Sequence, residues 1–225
     1  MTFALKISFI LTAVVALVYI HKNYIYRLWT QQKAGVVIIL NGPSAAGKST
    51  LQKTIQRFAP VPYLGVGVDA FFNDLFPDEH GKLRCKTVAN FEQTLRYVTI
   101  ENNTVYLHVG AEGRKIVTGM NQAIAAYARA GNNLVVDYIM YDPSWMQELL
   151  QALEGCPVYM IGITLPLEIL QQREQARSTS PLGHAKSHYD TVHINNAYDM
   201  MLDTSILSAD QAAEQILNFI EKTPR

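Results

Sequence analysis

The sequence predicts an α/β domain on a parallel sheet, behind an N-terminal transmembrane helix. Three observations carry that expectation. Residues 36–51 (VVIILNGPSAAGKSTL) run from an apolar β-branched stretch into the spacing GxxxxGK[ST], met by Gly42, Gly47, Lys48 and Ser49. Downstream, short apolar runs alternate with helix-period stretches, the mark of parallel strands joined by crossover helices. At the other end, residues 7–20 (ISFILTAVVALVYI) carry no charge at all.

The elements follow in chain order. The first strand is residues 36–40, apolar throughout as a strand buried on both faces requires. The first helix is expected over Lys48–Phe58, ending before Pro60. A second strand over 63–68 ends at Asp69. From about 71 to 113 the pattern is irregular, with the turn signals FPDEHGK and ENNT; it is too long for a simple connection and reads as a substrate-side insertion. A helix over 113–130 places Ile116, Met120, Ala123, Ile124 and Tyr127 on one face, with Gly131 as its stop. A strand over 134–136 ends at Asp137. Pro143 suits the first position of a helix over 143–153. Next come a strand over 158–163 and a helix from Pro166 through Arg177, broken by STSPLG. A strand over 200–202 and a helix over 209–221 close a five-stranded domain of the size of a small nucleotide kinase.

The N-terminal segment reads as an anchor. Taken back to Phe3 past a snorkelling Lys6, it would span about 27 Å as a helix, enough for a thin bilayer. His21, Lys22, Tyr24, Tyr26, Arg27 and Trp29 follow as an interfacial belt. Lys22, Arg27 and Lys33 lie after the segment and only Lys6 before it, so the positive-inside bias puts the rest of the chain in the cytoplasm. A cleaved signal peptide, cut near Val14-Val15-Ala16, is the rival reading, and would leave a short apolar core. The expected organisation is therefore a membrane anchor and juxtamembrane segment at 1–33 and a P-loop kinase domain at 34–225, single-pass with the kinase on the cytoplasmic side.

The 19 basic and 19 acidic residues balance, which argues against a nucleic-acid partner. Cys85 and Cys156 stand far apart without a CxxC, as reduced thiols in a cytosolic domain do.

The candidate chemistry centres on the loop. Gly42, Pro43, Ser44, Ala45, Ala46, Gly47, Lys48, Ser49 and Thr50 form the nucleotide-binding set: backbone amides curl around phosphate oxygens, and the helix start adds its partial positive charge. Lys48 can reach the β- and γ-phosphates, and the Ser49 hydroxyl suits a Mg²⁺ ligand. Asp137, ending LVVD, is placed as a strand-end carboxylate that holds Mg²⁺ or its water shell. Asp69, ending GVGVD, can take the proton of an attacking hydroxyl; each Asp also fits an ordinary strand-end turn. Arg173 and Arg177, four apart on a helix before a Pro/Gly break, suit a lid that meets the transferring phosphoryl group. Glu174 and the neighbouring glutamines suit instead a solvated face. His184, His188, His193 and Asp190 match no fixed metal-ligand motif.

Taken together, ILNGPSAAGKST, YLGVGVDAFFNDLFP, GAEGRKIVTGMNQAIAAYARAGNNLVVD, REQAR and NNAYDMMLDTS resemble, in order and spacing, the chloramphenicol phosphotransferase-like family of P-loop kinases, from about residue 36 to the C-terminus. The resemblance implies an adenylate-kinase-like five-stranded sheet with ATP and Mg²⁺ at the loop and an arginine-bearing lid. It further implies transfer of the γ-phosphate to a hydroxyl of a small molecule, chloramphenicol in the namesake. Lys48 and Ser49 then correspond to the phosphate and Mg²⁺ contacts, Asp69 to the base, Asp137 to the strand-end acid, and Arg173 and Arg177 to the lid arginines. The chain departs from the family pattern in two places. Arg177 is followed by Ser178, Thr179 and Ser180 where relatives often continue Arg-Gly-Asp-Arg, and Tyr138 stands where the acid is often doubled.

The expected function is an ATP-dependent phosphotransferase acting on a chloramphenicol-like antibiotic or other metabolite. The alternatives are a nucleoside or sugar-nucleotide kinase, and a membrane-tethered ATP-binding module with little turnover. Nothing in the sequence sets the oligomeric state.

Overall fold

The computed structural model describes residues 17–19, 21, 33–74, 95–177 and 181–225. The expected anchor falls largely outside these residues, as do Cys85, much of the irregular stretch, and residues 178–180 of the break after Arg177. Among the described residues no helix is long and apolar enough to cross a membrane.

Five strands form one parallel sheet: β1 (Val37–Asn41), β2 (Tyr63–Gly67), β5 (Asn133–Tyr138), β6 (Val158–Thr164) and β7 (Met200–Asp203), ordered β2-β5-β1-β6-β7. The most apolar run takes the centre. Val37, Ile38, Ile39 and Leu40 are all fully buried, because β1 is covered on both faces. Val37 and Ile39 join Leu134, Val136 and Met160 under α2 (Ala111–Arg129) and α3 (Pro143–Ala152). Ile38 and Leu40 join Val135, Ile161 and Ile163 under α1 (Lys48–Phe58) and α6 (Ala209–Lys222). The period-two alternation of a strand thus serves two cores at once.

The helix ends follow local chemistry. Asp142 caps α3, accepting from Ser144 N at 2.8 Å, with Pro143 in the first turn. Ser208 and Gln211 close a capping box on α6. Helix α1 has no side-chain cap; Gly47 stands at its start with φ 92°, leaving its first amides to the loop.

One expectation needs correction. The irregular stretch contains an antiparallel hairpin, β3 (Arg96–Glu101) with β4 (Thr104–Val109), and α2 begins at Ala111. The ENNT turn closes it: Asn102 and Asn103 both take positive φ, 48° and 58°, as a two-residue hairpin turn demands and Asn tolerates. Two shorter pieces were also not anticipated, a π-helical turn (Ala70–Asp74) and α5 (His184–Ser187), which follows α4 (Leu167–Arg177).

Candidate functional site

All five sheet strands are parallel, so their C-terminal ends share one edge, where open α/β sheets take ligands. The phosphate-loop residues leave β1 there. Gly42 passes so close to β6 that a Cβ would lie 2.4 Å from the Ile163 carbonyl oxygen, so no larger residue fits. Ala45 and Gly47 sit at φ 62° and 92°, and successive turns of this hand bring backbone amides onto one concave side.

Lys48 is 5 % exposed, and its ammonium donates to Gly42 O and Pro43 O, both at 2.8 Å, with an Asp137 carboxylate oxygen 3.8 Å away. Burial pushes its pKa down, while the carboxylates of Asp137 and Asp69 pull it up and Arg177 pushes it down again. Ser49 Oγ donates to Asp137 Oδ2 at 2.5 Å. The β2–β5 register sets Gly67 opposite Asp137, so Asp69, two residues on, comes to the same edge. Asp69, Asp137, Lys48, Ser49 and Arg177 border a cleft of about 950 Å³ whose far wall is the hairpin and Tyr141.

The two helix arginines divide their work. Arg173 donates to Thr204 O (2.6 Å) and Thr204 Oγ1 (3.1 Å), and the threonine hydroxyl donates on to Ala46 O of the loop at 2.9 Å. Arg177 borders both the main cleft and a second one of about 510 Å³, which Arg173, Gly47, Thr50, Thr204 and Ser208 also line. The solvated-face reading of Glu174 is overturned: it is 3 % exposed and accepts from Gly183 N and Ala185 N. A carboxyl group so placed must be partnered, and two backbone amides partner it.

Residues 35–221 match the chloramphenicol phosphotransferase-like protein family. The chain belongs to that family. It is a phosphotransferase-type enzyme of the kinase fold. A Mycobacterium tuberculosis protein named "Putative O-phosphotransferase" is 27% identical over 191 residues, covering 84% of this chain and 84% of its own length. Among solved structures, a Janibacter sugar kinase superposes with TM-score 0.58 at 16% identity, covering 85% of this chain and 96% of that one. The Mycobacterium tuberculosis APS kinase solved with AMPPNP and APS follows at 0.55 and 14%, covering 84% and 99%. A Deinococcus radiodurans tunicamycin resistance protein gives 0.53 and 16%, covering 84% and 95%. At such identities these three speak for the fold alone.

Within this family fold, the structure adds cleft residues that sequence reasoning passed over, Arg96 and Tyr97 of the hairpin and Tyr141, and brings His184, noticed but given no role, into the same cleft. Tyr141 Oη lies 3.0 Å from His184 Nε2, and His184 Nδ1 lies 3.4 Å from Val105 O. A carbonyl only accepts, so Nδ1 carries the ring proton, and the Tyr141 hydroxyl must donate to Nε2. Burial holds His184 below the usual histidine range and Tyr141, with Asp69 near, above the usual tyrosine range. The signal for the hairpin was its turn alone, ENNT. None existed for Tyr141, which is placed by what β5 is followed by in space.

His188 is 3 % exposed, and its Nε2 accepts from Ser44 N at 2.9 Å. Burial, then the neighbouring His184 and Lys48, push its pKa down to about 3. The unfolded chain binds a proton there below about pH 6.5 and the folded chain does not, so the stability it contributes is full above that pH and is lost as pH falls toward 3. Unfolding by urea should cost about 2 kcal/mol less at pH 5 than at pH 7 through this group. His188→Gln should flatten the pH profile by that amount, and an unchanged profile would contradict it.

Proposed function

We propose that this chain moves the γ-phosphate of ATP to a hydroxyl group of a small molecule. The observation that supports it best is the single cleft bordered by Lys48, Ser49, Asp137 and Asp69, with phosphate-loop residues at one end and the hairpin at the other. The loop amides and Lys48 would bind the phosphates, with the base and ribose in the second cleft beside Arg173 and Thr50. Ser49 and Asp137 are a hydroxyl–carboxylate pair of hard oxygens already in contact, a donor set that fits Mg²⁺. A bound Mg²⁺ would screen the phosphate oxygens.

Asp69 takes the proton as the acceptor oxygen bonds to phosphorus and the bridging bond breaks to leave ADP. Arg177, between the two clefts, would meet the transferring group from the lid position, while Arg173, held on Thr204, lines the second cleft and not the main one. Tyr141, whose proton is committed to His184, keeps oxygen lone pairs for a donor on the acceptor molecule.

The test is phosphate transfer from ATP by the 225-residue chain across chloramphenicol-like antibiotics, sugars, nucleosides and sugar nucleotides, beside Lys48→Ala and Asp69→Asn. Transfer to at least one hydroxyl, lost in both variants, is expected. Tight ATP binding with no transfer, insensitive to Asp69→Asn, would favour instead an ATP-binding module with little turnover, a reading that the departure after Arg177 supports.

We also propose that residues 1–33 anchor the domain, 34–225, to a membrane on its cytoplasmic side. Gly35 leads into β1 at the end of the sheet opposite the loop. The chain should stay with membranes through an alkaline carbonate wash, and removal of 1–33 should release it. Recovery of the intact chain in the wash, or a mature N-terminus after residue 16, would refute the anchor.

A further inference from the structure

Helix α5 is held at both ends by residues outside it. On one side stands Glu174, in the C-terminal half of α4 between Arg173 and Arg177. Its carboxylate accepts from Gly183 N at 2.8 Å and Ala185 N at 2.6 Å. On the other side stands His188, accepting from Ser44 N across 144 positions of sequence. Both residues are 3 % exposed.

The hydrogen bonds fix one arrangement of the histidine ring. A backbone N–H can only donate, so Nε2 is bare and Nδ1 carries the proton. Ser187 Oγ donates to His184 O at 2.7 Å, leaving a lone pair for Nδ1–H of His188 at 3.2 Å. The ring of Tyr141 meets His188 edge-on at 5.2 Å between centroids, and the His184 ring lies 5.0 Å away. Both ring nitrogens are thereby engaged, and two rings pack against the imidazole.

This arrangement gives three backbone amides, those of Ser44, Gly183 and Ala185, acceptors that apolar side chains at the two positions would not supply. It matters where it ends. Ser44 precedes Ala45, the loop residue held in the left-handed region at φ 62°. The Ser44 amide is thus fixed on His188 one residue before that turn.

We propose that residues 183–188 are a strut through which the arginine-bearing helix sets the shape of the phosphate loop, with Glu174 and His188 as positioning residues for nucleotide binding. The proposal rests on reading Gly42–Thr50 as the donor-phosphate loop. Removing either end frees the same segment, so the two ends act as one unit.

ATP binding to the 225-residue chain, followed by calorimetry, tests this without knowledge of the acceptor. His188→Gln, whose amide oxygen reaches about as far as Nε2, should hold ATP affinity within threefold of the native chain. His188→Asn is too short, and His188→Phe has no acceptor; each should weaken ATP binding tenfold or more. Glu174→Gln should weaken it threefold or more, and Glu174→Gln with His188→Asn should be no weaker than His188→Asn alone. Native ATP affinity in folded His188→Asn and His188→Phe, with only a lower melting temperature, would overturn the proposal. So would losses that multiply in the double variant, or equal losses with Gln and Asn. A native chain that does not bind ATP would instead remove the donor-loop reading, and the strut with it.

Discussion

Lys48→Ala should abolish measurable phosphate transfer, with a loss of about 10³-fold or more, and weaken ATP binding by about 10²-fold. In the present structure the ammonium is buried, 5 % exposed, and satisfied by the carbonyls of Gly42 and Pro43. It therefore adds positive charge to the floor of the loop without swinging in from solvent. A charge-assisted contact to a phosphate oxygen is worth about 1.5–3 kcal/mol, which accounts for the binding loss. The remainder falls on the transfer step, where charge grows on the transferring oxygens and a fixed cation in a dry site is worth most. Asp137 keeps its bond from Ser49 in the variant, so the fold should survive. Titration with ATP and a transfer assay check both halves. Transfer within tenfold of the native rate would contradict the role given to Lys48.

Asp69→Asn should separate the two halves of the reaction. The substitution keeps size and shape and removes the negative charge. Asp69 borders the main cleft but not the second one, so ATP affinity should stay within about threefold. Transfer should fall by about 10²–10⁴-fold, the usual worth of a positioned proton acceptor. The chemical loss should appear in kcat rather than in KM for ATP. A variant that transfers at the native rate would mean that Asp69 only caps the end of β2, the ordinary role that Asp holds at strand ends.

The chain was unevenly legible. Lys48–Phe58 could be read to the residue, because a loop motif fixed its start and Pro60 its end. The five sheet strands were legible as apolar runs, and their bounds shifted by only a residue or two, since hydrogen bonds extend a strand past its last apolar side chain. The hairpin was missed as an element although its turn was seen. Its strands expose Tyr97, Val98 and Ile100, so the pattern carries no buried stripe to announce it. The histidines at 184 and 188 were noticed but matched no fixed metal-ligand motif. Their hydrogen bonds go to Tyr141 and to the Ser44 amide.

The candidate site divides along the same line. The loop Gly42–Thr50 is local: its glycines, lysine and hydroxyls lie within nine consecutive positions, and short-range backbone geometry is enough to predict what they form. By itself, then, the sequence determined the family, the phosphate loop and the parallel sheet, because each is written in local pattern and spacing. The tertiary structure alone decided that the hairpin walls the cleft holding Asp69 and Asp137, that Arg173 serves Thr204, and that Glu174 is buried. It also decided that residue 188 holds residue 44. These depend on strand order and on which polar groups lose their water together, and neither has a signature along the chain.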